Sequence, residues 1–553
     1  MNMFFSNHKW INAVAGAAVA IACLSFTDRY FNLSKQLDIF TACYRDINMY
    51  YVDDAEPSKL MRTGIDAMLK TLDPFTNYIS ESQIETYRMQ HSEKLVGIGA
   101  QVEIMDSVPV ITDVTPKLPA AKAGLQPGDK ITAIDGKPTF GRSNDEIGLA
   151  LRGQAGSAVT VSVTTISGEN KTVNLSREET QETNVPFFGM LDSHVGCINL
   201  KIFNPDAGKD VKNAFDSLKR MDPEMKGLIL DLRGNPGGLL QEAVNIVNLF
   251  IEKNKLVVTT KGRVPEWNST FKTQADPADT RIPIAILTDS KSASASEIVS
   301  GALQDYDRAV VMGQKTYGKG LVQVTKNLSY NTMLKVTTAR YYIPSGRCIQ
   351  ALLYAERNED GSVKRVPDSL KKEFKTTNGR RVWDGGGVDP DLPVPHPDAP
   401  AVVKALQEKH LIFDFATRYK LQHPAIPQAA KFQLTDADFA DFVAFVRGKN
   451  FTYQTESDAV LKKLETDAKD EKYFEAVKSA FLETQARLET GKKEALEKSK
   501  AAMLPILEAE ITGRYYAAHG KIEKQLQSDP LARRAVELLN TPGEYNDLLA
   551  KKN

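Results

Sequence analysis

Between Lys291 and Gln323 the chain reads KSASASEIVSGALQDYDRAVVMGQKTYGKGLVQ, a stretch holding a hydroxyl and an amine that could act together. Ser292, Ala293, Ser294, Ala295 and Ser296 run into Glu297 and then into Ile298, Val299, Ala302 and Leu303, an apolar spacing that predicts a helix. The serines thus stand at a helix N-terminus. Free N–H groups and the positive end of the dipole gather there, as an oxyanion formed by serine attack on a carbonyl requires. A serine hydroxyl also needs a base within hydrogen-bond reach. The seven histidines, at 8, 91, 194, 396, 410, 423 and 519, are scattered, and none falls in this stretch. Lys319, between Gly318 and Gly320, is the better candidate. A lysine acts as base only where burial draws its pKa toward neutrality. Gln323, four residues on, shares its face in either a strand or a helix and could orient the amine without adding a negative charge.

Other readings compete for the same residues. Ser294 with Glu297 fits an S-x-x-E capping box, and a Gly-Lys-Gly alone is a common exposed turn. Gly313 to Lys319 is G-x-x-x-x-G-K after the apolar run Ala309 to Met312, nearly a phosphate-binding loop. That reading fails at Gly320, where a Ser or Thr would hold Mg²⁺, and at Leu321, Val322 and Val324, which continue as a strand where a helix should begin. The run from Leu228 to Asp231 could pass for a Walker B strand, but it comes first in the chain.

SASASEIVSGALQDYDRA followed by TYGKGLVQ resembles the carboxyl-terminal processing peptidases, envelope serine proteases of the S41 type with a Ser-Lys dyad. The resemblance implies Ser294 as nucleophile, Lys319 as base, Gln323 as the supporting amide and Asp305 as a supporting acidic residue. DLRGNPGGLL, beginning at Asp231, matches the family too, and implies an oxyanion hole of the Ala295 N–H with that of Gly237 or Gly238. The same glycines would serve a strand-to-helix turn at positive φ, and the two roles are compatible. PSGRCIQ and WDGGGVDPDLPV match the family's closing stretch. The likeness covers about residues 35 to 395 and implies a multidomain α/β chain with a crotonase/ClpP-like ββα core, no cofactor and no metal. A PDZ-bearing adaptor or inactive scaffold that keeps the fold is the competing class.

The totals admit several domains in 553 residues. Lys+Arg and Asp+Glu are each 70, so the formal net charge is zero and nothing asks for nucleic acid. The cysteines, at 23, 43, 197 and 348, show no C-x-x-C spacing, which points to neither a metal site nor a disulfide framework. Ala13 to Phe26 is a fourteen-residue apolar run, short for a membrane span and typical of an export signal. Cleavage after small residues, lipidation at Cys23 and retention as an anchor all remain open for residues 1–29. Each places the protein in the cell envelope, periplasmic or membrane-associated.

Residues 30–90 read as a helical segment that could support the fold or pair in a homodimer. Residues 91–179 resemble a PDZ domain, through LVGIGAQVEI and AGLQPGDKITAIDGKPT. Gly97 and Gly99 free backbone N–H groups to receive a terminal carboxylate, and the strand after them can pair with an extended peptide. Ile98 and Val102 suggest a preference for apolar C-terminal side chains. From 180 to 395 strand and helix alternate, with GLILDL and IPIAILTDS apolar enough to be covered on both faces. In such sheets active sites lie at strand C-terminal ends. Residues 396–553 shift to Ala, Glu, Lys and Leu with helical periodicity, broken at Pro424 to Pro427 and at Gly520, with charged faces that read as solvated helix. This segment could cover the site, dimerise or bind a regulatory partner.

Overall fold

Five short apolar segments set the architecture between residues 187 and 393. In the computed structural model, which describes residues 30–90, 95–180, 183–192, 194–358, 360–395 and 398–550, they form a six-stranded sheet with one further strand. The strands are β1 (Phe187–Asp192), β2 (Val195–Asn199), β3 (Gly227–Asp231), β4 (Ile284–Thr288), β5 (Val310–Gly313) and, at the far edge, Leu392–Pro393. β1 runs antiparallel to β2, and every later neighbour is parallel. Parallel neighbours need crossovers. Helices α1 (Ala207–Met221), α2 (Leu240–Asn248) and α3 (Ala295–Asp305) lie within them.

Successive side chains of a strand point to opposite faces, so an all-apolar strand must be covered twice. Leu228, Leu230, Ile284, Ile286 and Val311 pack with Val211, Phe215, Val247 and Ile298 of the three crossover helices. Their neighbours Ile229, Ala285, Leu287, Val310 and Met312 pack with Ala532, Ala535, Leu538 and Tyr545 from the end of the chain. The second cover is thus a pair of C-terminal helices, α4 (Pro530–Leu539) and α5 (Pro542–Leu549). The solvated-helix expectation concerns their charged faces; the apolar face of each is core.

The rest of the C-terminal segment, from Ala401 to Ser528, is helical and builds its own core from Leu406, Phe415, Phe442, Val446, Met503 and Leu507. The break expected at Gly520 falls at Ala517, which takes φ 52° and ψ −155° within Lys500–Ser528.

Residues 100–176 form a separate antiparallel sheet around Ile111, Ile131, Ile147, Val161 and Leu175. Its edge strand, Ala100–Met105, flanks helix Asn144–Leu151 across a cavity of about 420 Å³ lined by Gly97, Ile98, Gly99, Val102, Ile147 and Arg152 among others. Gly99 lies at φ 75°, and a side chain there would collide with Leu118. The Asn144 Oδ1 accepts from the Ile104 N–H (3.1 Å), closing the end of the groove away from the glycines.

Contacts divide the chain into two units, the smaller being residues 30–79 with Thr325–Val336. Within it lie a helix over 30–50, helix Pro57–Lys70, and strand Asn77–Ile79 paired antiparallel with Met333–Lys335. Of residues 30–90, expected from the sequence to be helical, 30–50, 57–70 and 81–90 are helices, and Asn77–Ile79 is a strand. The expectations for residues 1–29, an export signal, an anchor or a lipidated Cys23, lie outside the described residues.

Candidate active site

Ser294 is the cap of α3, and its backbone takes φ 59° and ψ −114°. L-residues rarely adopt such a conformation, which costs of order 1–3 kcal/mol and persists where surroundings impose it. The constraints are visible on both sides. The Ser292 hydroxyl donates to the Leu232 carbonyl (2.8 Å), and the Ala293 N–H donates to the Asn235 carbonyl (3.0 Å). After the turn, the Ser296 hydroxyl donates to the same Asn235 carbonyl (3.0 Å). The serine-rich run is therefore half machinery for its own shape, with Ser292 and Ser296 fully buried and Ser294 partly open.

Asn235 fixes the opposing loop in turn. It is fully buried, its Nδ2 donates to the Leu200 carbonyl (2.7 Å), and its Oδ1 accepts from the Gly237 N–H (2.8 Å). Gly237 lies at φ 99°, where an added Cβ would stand 2.8 Å from the Ser294 Cβ and 2.9 Å from the Ala295 nitrogen. Only glycine admits that approach. The two glycines differ in their amides: that of Gly237 is bonded to Asn235, whereas those of Gly238 and Ala295 have no hydrogen-bond partner among the described residues.

Glu297 joins the serine turn to the lysine segment. Its carboxylate is fully buried and accepts from the Ser294 N–H (2.9 Å), the Thr316 hydroxyl (2.6 Å), the Gly318 N–H (2.7 Å) and the Lys319 N–H (2.8 Å). One side chain therefore anchors the backbones at both residues singled out for chemistry. Burial pushes this carboxyl above its usual range, against the four donors. The capping-box reading is realised in its carboxylate half, and the same carboxylate also reaches across to residues 316–319. Sequence gave no sign of that reach, because S-x-x-E explains the glutamate locally.

Lys319 lies in an extended connection and is half-buried; the next strand, β6 (Leu321–Leu328), starts two residues later. A phosphate-binding loop would require a helix here, so that reading is excluded. The connection is wedged against residues 350 and 351. The Gly320 N–H donates to Gln350 Oε1 (2.8 Å), the Ala351 N–H donates to the Gly318 carbonyl (2.9 Å), and a Cβ on Gly318 would stand 2.3 Å from that of Ala351. Gln323, on β6, donates to Thr337 Oγ1 (3.2 Å) across to β7 (Thr332–Tyr342).

Asp305 closes the opposite end of α3, about 16 Å along the axis from the serine. It pairs with the fully buried Arg347 (3.0 Å) and accepts from the Ser345 N–H (2.9 Å). Burial raises its carboxyl despite the arginine. Its work is to hold the 345–351 segment, and so indirectly the wall behind Lys319.

The arrangement is compatible with acyl transfer, with a hydroxyl on a constrained helix cap, a lysine on an extended segment whose backbone the same Glu297 anchors, and unbonded N–H groups at Ala295 and Gly238. The family comparisons agree in class. The family model of peptidase family S41 matches residues 194–353, a PDZ domain matches 110–165, and a probable PDZ-protease C-terminal helical domain matches 402–539. A probable CtpA-like serine protease of Staphylococcus haemolyticus (strain JCSC1435) is 32% identical over 342 residues, which cover 61% of this chain and 67% of that one. The chain belongs to peptidase family S41. A probable CtpA-like serine protease of Staphylococcus aureus (strain N315) is 36% identical over 331 residues, 60% of this chain, and the match spans 64% of that relative's length. Among solved structures, the photosystem II D1 C-terminal processing protease is 25% identical, with 65% of this chain and 93% of that chain covered at a TM-score of 0.36.

Proposed function

We propose that this S41 chain is an exported endopeptidase that binds protein C-termini in its PDZ groove and cleaves by Ser-Lys acyl transfer. The observation that carries the reading is the Glu297 carboxylate, which anchors the Ser294 and Lys319 amides at 2.9 and 2.8 Å. A buried carboxylate is costly to keep, and here it fixes the two segments whose side chains the chemistry needs.

In this reading Ser294 Oγ attacks the scissile carbonyl while neutral Lys319 takes its proton. The N–H groups of Ala295 and Gly238 receive the oxyanion; Gly237 could do so only by releasing Asn235. Protonated Lys319 returns the proton to the leaving amine. A water deprotonated by the same lysine then cleaves the acyl-enzyme. Gln323 is assigned to hold the amine and Asp305 to the scaffold. No cofactor is invoked. The groove takes the substrate's carboxylate at Gly97, Ile98 and Gly99, and its edge strand at Val102 pairs with the tail. Division at residues 90, 179 and 395, a crotonase/ClpP-like description of the core, and placement in the cell envelope through residues 1–29 belong to the same proposal.

Ser294→Ala and Lys319→Ala test it, with degradation of a C-terminally tagged, loosely folded protein as the readout. Loss in both, with tail binding retained, supports the dyad; persistence in both rejects it. An adaptor would bind such tails without cutting them even as wild type.

A further inference from the structure

The dyad reading leaves open how the serine and lysine are held in register before substrate arrives. Tyr341, on β7, is 2% exposed and touches the site twice. Its backbone N–H donates to the Gly320 carbonyl (3.1 Å), and its hydroxyl donates to the Lys319 carbonyl. With Glu297 on the Lys319 N–H, both peptide groups of the lysine are fixed.

We propose that Tyr341 is a positioning residue that clamps the Lys319 backbone and so holds the base in place before substrate arrives. The inference rests on the Ser-Lys reading. A phenol has one proton, and here it is committed to the Lys319 carbonyl. Burial pushes the Tyr341 phenol well above its ordinary value, and the nearby Glu297 charge adds to that effect, so the phenol keeps its own proton throughout. Reaction requires the Ser294 Oγ–H to donate to the Lys319 amine, which the clamp keeps in place. The proton then passes from oxygen to nitrogen as the new C–O bond forms. Tyr341 neither gains nor loses a proton in that sequence.

The test uses the full chain with Tyr341→Phe, which keeps the ring that packs against the core. Two quantities are measured against pH: the rate at which a fluorophosphonate labels Ser294, and kcat and KM on a C-terminally tagged test protein. Freed of the clamp, the base wanders, so kcat falls about tenfold while KM stays within about twofold. The acid limb of the labelling rate moves to higher pH, because an amine released toward water is easier to protonate. Tyr342→Phe is the control; that neighbouring ring lies under the Lys261 ammonium (5.0 Å) and should leave both quantities unchanged. An unmoved limb and kcat in Tyr341→Phe, or an equal change in Tyr342→Phe, overturns the proposal. If the phenylalanine variant does not fold, 3-fluorotyrosine at 341 keeps the volume and makes the phenol a stronger donor to the Lys319 carbonyl, so the acid limb should move to lower pH; an unmoved limb overturns it. Lys319→Ala separates the two ideas. Labelling as fast as wild type in that variant sinks the dyad and this inference together. Labelling lost there but untouched in Tyr341→Phe leaves the dyad standing and removes only Tyr341.

Discussion

A serine at φ 59° and ψ −114° carries a strain that its own side chain does not relieve. Glycine tolerates that backbone, so Ser294→Gly should be more stable than Ser294→Ala by about 1 kcal/mol, although the proposed dyad expects neither to cleave. Matching urea midpoints for the two variants would show that the turn is not strained. Glu297 makes a sharper case. Glu297→Gln places an amide against four donors, leaves at least one buried N–H unpaired, and should cost about 3 kcal/mol with a large fall in kcat. The pH dependence has a definite sign. The folded-state pKa of Glu297 lies above its unfolded value of about 4.5, raised by burial, so the folded protein binds that proton more tightly. Its contribution to stability therefore falls as pH rises from 4.5 through the raised value. The stability difference between wild type and Glu297→Gln should narrow across that window; a widening difference contradicts the assignment.

At the scale of elements, the lysine segment works because two glycines let it lie against residues 350 and 351. Gly318 sits at φ 88° with the Ala351 Cβ 2.3 Å from where its own would be, so Gly318→Ala must push the segment outward. We expect a loss of about 2 kcal/mol or more and a fall in kcat, while binding of a tail peptide to the groove around Gly97 to Val102 is unchanged. Parallel loss of tail binding would mean general unfolding instead. These elements also show what the sequence could and could not reveal. The helix after the serine run was legible from its apolar period, and the buried strands from continuous Leu, Ile and Val. The distant partners of Glu297, Asn235 and Gln350, namely Thr316, Leu200 and Gly320, were not. Each joins residues 19 or more positions apart, and periodicity carries no information on such pairs. Ala517 was missed for a different reason, since nothing in an alanine predicts a positive φ; glycine three residues later drew the break instead.

Across the whole molecule, helical periodicity said that the C-terminal segment buries a face but not against what. Its end supplies the second cover of the protease-core sheet, and one ion pair ties that cover to the site loop. Arg233, two residues before Asn235, holds Asp231 at 2.9 and 2.8 Å and also pairs with Asp529. Asp529 caps α4, accepting from the Leu531 N–H (2.8 Å) and the Ala532 N–H (3.3 Å). Arg233 lies deep, where burial alone would lower its pKa, but Asp231 and Asp529 outweigh that and hold it above the usual value. The two roles of Asp529 can be separated. Asp529→Ala removes both the cap and the charge and should cost about 2 kcal/mol, whereas Asp529→Asn keeps an oxygen for the cap and should cost about half as much. In an Arg233→Gln background the Asn substitution should become nearly neutral, because the charge partner is already gone. A double-mutant cycle on urea midpoints reads this directly, and equal costs of the Asn substitution with and without Arg233 would show that the C-terminal cover is not coupled to the loop through this pair.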